Sequence, residues 1–193
     1  MNQFSESKNL LQAIADETEK VNDDARQLVA GLSEAQLNWP PAPGRWSIAQ
    51  CFDHLAVTSE AYQPFLTEAI ARGRAKFRSS VPVVYRPSRM GRWLIGKLSP
   101  DSKGRFPAPK VFRPSESPRI IGAPERFLGQ QEEFLRFVRS AEGLDYNRLR
   151  LRSPVMPLLR YTLADTLVMT VVHSQRHVQQ ARRVREAPGF PAL

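Results

Sequence analysis

Val171-Val172-His173-Ser174-Gln175-Arg176-His177-Val178-Gln179-Gln180 holds two of the three histidines in the chain. The stretch reads as helix, and on an α-helix residues four apart lie on one face, one turn from each other. Both imidazoles can then point at one ion. The third histidine, His54, sits in a second helical stretch, Trp46-Ser47-Ile48-Ala49-Gln50-Cys51-Phe52-Asp53-His54-Leu55. Packing these two helices together would place His54, His173 and His177 around one divalent metal ion, with ligands drawn from facing helices as bundles commonly supply them. Three protein ligands leave a coordination position open to water or to a substrate thiolate, the arrangement of catalytic zinc sites. The ordinary reading of His-x-x-x-His is a pair of polar residues on a partly exposed helix, a spacing that chance produces often. Against it stands the distribution: every histidine falls at the two candidate stretches and none elsewhere.

The helix around His173 is predicted to start at Thr162-Leu163-Ala164-Asp165, whose threonine caps it. It runs to about Glu186, before Pro188-Gly189. The helix around His54 starts at the capping box Ser47-Ile48-Ala49-Gln50 and runs to about residue 76, with Pro64 as a candidate kink. A third, Pro124 to Glu142, has proline in its first turn, a Phe127, Leu128, Phe134, Leu135, Phe137 and Val138 stripe, and Gly143 to close it. Residues 5 to 30 repeat apolar positions at three- and four-residue steps and form the first helix, stopped by Gly31. Ser33-Glu34-Ala35-Gln36 has the form of another capping box and starts a short turn. Three prolines and a glycine make Asn38 to Gly44 a loop. Asp145 to Arg160 is a connection centred on Ser153-Pro154-Val155-Met156-Pro157, and no strand pair is expected. Four amphipathic helices imply an all-α, four-helix bundle, with residues 1–193 as one domain.

Residues 77 to 123 differ. They carry seven prolines and read as a long, irregular basic insert between the second and third bundle helices, with a short helix over Ser88 to Leu98. Between Arg72 and Arg113 twelve Lys or Arg face one acid, so this segment supplies +11 of a net +9 and leaves the remainder at −2. Phe77, Tyr85, Trp93, Phe106 and Phe112 stand among those charges. Such interleaving can stack single-stranded nucleic acid. The favoured reading is an insert that packs its aromatics on the bundle and presents solvated arginines, so nucleic acid is the disfavoured partner.

No apolar run reaches the roughly 18 residues that span a membrane, and the N-terminal stretch lacks the basic start and apolar core of a secretory signal. A cytoplasmic protein is the expectation. Cys51, the single cysteine, excludes an internal disulfide and a thiolate-rich zinc site. A metal held by imidazole, carboxylate and water would be zinc, nickel, iron or manganese. Cys51 itself reads as a buried packing residue. Asp53 and Glu60 read as solvated charges, Asp165 as part of its helix cap, Trp46 as a packing residue, and Arg176 as a surface cation on another helix face.

Trp46-Ser47-Ile48-Ala49-Gln50 followed by Asp53-His54-Leu55, then His173-x-x-x-His177 with Gln180, resembles the DinB/YfiT-like superfamily of metalloenzymes. Pro43-Gly44-Arg45 also fits that family's approach to the second helix. The resemblance covers most of the chain outside residues 77 to 123. It implies an up-down-down-up four-helix bundle and a His54, His173, His177 triad holding zinc or nickel. It also implies chemistry like that of relatives using low-molecular-weight thiols such as bacillithiol or mycothiol. The long basic insert and Gln50, where many relatives carry an acid, are departures. The expected function is a metal-dependent enzyme on small molecules, a thiol-dependent S-transferase or a hydrolase. The alternative is a non-catalytic binding protein using the basic aromatic insert for an acidic partner or nucleic acid. Assembly as a homodimer stays open.

Overall fold

A computed structural model describes residues 4, 7, 9–102, 104, 107–156 and 158–192. The four bundle helices are α1 (Leu10–Val29), α3 (Ile48–Lys76), α5 (Ala123–Ser140) and α6 (Leu163–Arg185). Between them lie a short α2 (Glu34–Asn38) and α4 (Arg89–Leu98), with a 3-10 turn at Lys110–Phe112. Local chemistry sets the helix starts. Ser33 with Gln36, Ser47 with Gln50, and Thr162 with Asp165 each form a reciprocal capping box. Asn9 accepts from the Gln12 N–H and starts α1 there. Residues 5, 6 and 8, where the apolar periodicity places the start of the first helix, lie outside the described residues. Gly31, at φ +74°, follows the end of α1 in the left-handed conformation that suits glycine. Helix α3 continues through Pro64.

Helix directions follow from paired side chains. Gln175 meets Glu17 and Arg182 meets Asp24, so α1 and α6 run parallel. Arg126 meets Asp53 and Gln63 meets Gln130, so α3 and α5 run parallel. His54 lies against His173 while Tyr62 reaches Tyr161 at the foot of α6, so α3 and α6 run opposite ways. The order is up-down-down-up. Helices α1 and α3 each pack mainly against both α5 and α6. No helix among the described residues is long and apolar enough to cross a membrane.

One element pair departs from the expectation of no strands. Strands β1 (Arg150–Arg152) and β2 (Arg160–Thr162) pair antiparallel, Leu151 opposite Tyr161. Three-residue strands leave no readable alternation. They form because Leu151 and Tyr161 bury their side chains at the base of the bundle. The core has two clusters. One surrounds Leu149, Tyr161, Leu167 and Phe134; the other surrounds Ile48, Phe52, Phe127 and Val178. On α6 the histidines fall at the seam, between Val172 of the first and Val178 of the second.

Candidate metal centre

Helix α3 delivers His54 and α6 delivers His173 and His177 to that seam. One nitrogen from each of the three lies within 4.8 Å of the others. His54 Nε2 and His173 Nε2 are 3.2 Å apart, and the three rings sit 4.6–5.0 Å centroid to centroid. His54 and His177 are buried, at 3% and 8% exposure, and His173 is half-buried. Trp46 closes one side, its ring 4.8 Å from His54 and 5.7 Å from His177.

Burial holds all three imidazoles below their usual pKa. For His54 it outweighs the opposing pull of the Phe112 carbonyl and Asp53. His173 is pushed well down by burial and then by the neighbouring His177, His54 and Arg176. His177 is pushed well down by burial, then by His54 and Arg176, against a bond to Gln180. The rings are therefore neutral at pH 7, the form in which imidazole binds a metal. His54 Nδ1 lies 2.5 Å from the Phe112 carbonyl oxygen. A carbonyl only accepts, so Nδ1 carries the proton and the Nε2 lone pair faces the other rings. His177 Nδ1 is buried with no hydrogen-bond partner, a state that costs roughly 1–3 kcal/mol unless something satisfies it. Three neutral imidazoles, one fixed in its tautomer and one with an unsatisfied nitrogen, fit a divalent cation.

The long connection between α3 and α5 supplies much of the surrounding frame. Phe112 is buried and stacks on Tyr62, and Tyr85 is buried with its hydroxyl on Asp165 at 3.0 Å. Phe77 packs on the core beneath Arg148, while Trp93 is 57% exposed. Phe106 lies outside the described residues. Two expectations from the sequence need correction. Asp53 is 4% exposed, not solvated: its carboxylate accepts from the Ser115 N–H and from Arg126, both at 2.8 Å. Arg126 in turn grips Glu60 with two nitrogens. Arg176 is not a surface cation. Its guanidinium donates to the carbonyls of Ser99, Ser102 and Gly104 at 2.8–3.0 Å. Both corrections share a cause: each side chain meets backbone groups of the proline-rich connection, and Asp53 also Arg126 of α5, none of which side-chain spacing can reveal. The Phe112 carbonyl leaves no signal in the sequence for the same reason. Asp165 does serve its cap and also receives Tyr85 and the Ser88 N–H. Cys51 is fully buried in the second core cluster, its thiol pushed up to about 12 by burial.

The histidines open onto a cavity of about 1250 Å³ between the bundle and the connection. The same architecture occurs in YfiT from Bacillus subtilis, described as "a probable metal-dependent hydrolase with an unusual four-helix bundle topology". The two chains are 18% identical, the match covers 99% of this chain and 94% of that one, and the TM-score is 0.54. No curated protein matches the chain. The model of the DinB superfamily matches residues 17–181, from the middle of α1 nearly to the end of α6 and across all three histidines, and the chain belongs to the DinB superfamily.

Proposed function

We propose that the chain is a metal-dependent enzyme acting on small molecules, with His54, His173 and His177 as the ligands of one divalent ion, zinc or nickel. The observation that carries this reading is the convergence of three neutral imidazoles from α3 and α6, one of them held in its tautomer by the Phe112 carbonyl. When bound, such an ion supplies a Lewis acid with a position open to water or substrate. The chain's own groups do the rest. Trp46 and Phe112 exclude solvent on two sides, and the Phe112 carbonyl keeps His54 oriented. Hydrolysis and thiol-dependent S-transfer both suit this arrangement. A thiol bearing carboxylates would find Lys97 and Arg113 of the basic connection on the cavity wall.

Elemental analysis of tag-free protein tests the reading. We expect about one equivalent of a transition metal in the wild type and its loss in His173→Ala, with the helical circular dichroism unchanged. A wild type that holds no metal and takes up none on addition would overturn it.

A further inference from the structure

The cavity extends well beyond what three ligands and a small co-substrate need. At about 1250 Å³ it exceeds the roughly 300–1,000 Å³ of ordinary ligand pockets. It is also elongated. On α3 its wall includes His54, Thr58, Tyr62 and Leu66 in successive turns, a run of about 18 Å at 1.5 Å per residue.

The two ends differ in chemistry. The far end is lined by Leu66, Leu94, Phe134, Phe137, Leu159 and Met169. Polar groups in the lining here have protein partners: the Tyr62 hydroxyl has that of Tyr161, Gln63 has Gln130, Glu133 has Arg136, and the Thr166 and Thr170 hydroxyls donate to the Thr162 and Thr166 carbonyls. The near end holds the histidines; the exposed cations Arg45, Arg113 and Arg183 line the cavity as well, together with Asp101 and Glu116. Thr58 Oγ1, one turn beyond His54, is buried without a partner and can donate to a head-group oxygen. An apolar chamber with a cationic, donor-bearing mouth matches a molecule with the same two ends.

We infer that this cavity binds a medium- to long-chain acyl amphiphile, its chain in the Leu66–Phe134–Met169 chamber and its anionic head at the histidine end. The position of the head rests on the metal reading above; the seat of the chain does not. The connection is then a wall of the binding site, since α4 contributes Trp93, Leu94 and Leu98 to it.

The test is calorimetric titration of the metal-supplemented full chain with hexanoate, decanoate and tetradecanoate, each below its micellar concentration. Affinity should rise about fourfold per added methylene, then level off when the chamber is full. Met169→Trp and Leu94→Trp obstruct the chamber from two different helices, α6 and α4. Each should reduce tetradecanoate binding to the level of hexanoate and leave metal content at the wild-type value, and two sites guard against one variant misfolding. A chain-length-independent affinity in a wild type that holds its metal would overturn the inference and leave the metal reading standing. A chain-length response in protein that binds no metal would sustain the chamber and sink the metal reading.

Discussion

The histidine-bearing face of the bundle and the connection laid across it are held by opposite means. The bundle is joined by side chain on side chain, its apolar stripes meeting in two clusters. The connection is joined largely by its backbone to side chains of the bundle and of the segment that follows α5. Asn147 takes the Val84 carbonyl, Asp165 the Ser88 N–H, Arg176 three carbonyls near residue 100, His54 the Phe112 carbonyl, and Asp53 the Ser115 N–H. Outside α4, prolines interrupt regular main-chain pairing in the connection, and main-chain polar groups withdrawn from water require partners. The bundle and the segment after α5 provide them. Two of the providers, Asp53 and Arg176, directly precede His54 and His177 in sequence. The connection is thus pinned beside the candidate ligands, so its docking and the shape of the site are not independent.

That contrast breaks most sharply at Asp165, which belongs to both regions. It caps α6, accepts from Tyr85 and Ser88, and is fully buried. It also meets α4 so closely that a Cβ built on Gly91 would come within 2.2 Å of its carboxylate. Asp165→Ala should lose about 3–5 kcal/mol of global stability by urea denaturation, from the lost cap and the orphaned buried donors. A loss under about 1 kcal/mol would show that the connection docks without it.

Alkaline titration sharpens the comparison from the side of the connection. Burial, then the Asp165 charge, raises the Tyr85 phenol above its usual range. The folded state therefore prefers the neutral phenol. Its contribution is intact below about pH 10, where the unfolded chain also keeps its proton, and is lost as pH rises through and above that value. Tyr85→Phe should flatten the fall in stability between pH 10 and 11 by about 1 kcal/mol. Equal slopes in the two proteins would show that Tyr85 stays undocked in solution.

The smallest effect is expected at Arg176. Arg176→Ala removes the donor to three carbonyls but no core contact of the bundle. Hydrogen exchange at the Ser102 amide, which donates to Ser99, should quicken about tenfold while amides of α3 and α5 keep their protection. Uniform quickening would make the arginine a member of the global core.

The same contrast governs which features of the molecule are legible in its amino-acid sequence. Apolar spacing and two capping boxes, those of α3 and α6, mark the bundle helices to within a few residues at most ends, because those signals are local. The three histidines are legible for the same reason, as residues on faces that periodicity defines. Leu151 and Tyr161 are not legible as strand residues, since three residues carry no period. Asp53 and Arg176 read as solvated charges because their partners lie about 60 to 80 positions away and, apart from Arg126, are peptide groups, which any residue type supplies.

Cys51 turns the buried seam into a reporter. It is the chain's only thiol, it is sealed in the core between α3 and its neighbours, and burial lifts its pKa to about 12. A thiolate is the reactive species, so the folded chain should ignore thiol reagents until the bundle opens. Labelling kinetics then count opening events directly. For the same reason, thiol consumption followed with a chromogenic disulfide carries no background from the protein, which leaves any S-transfer activity open to a direct colorimetric measurement.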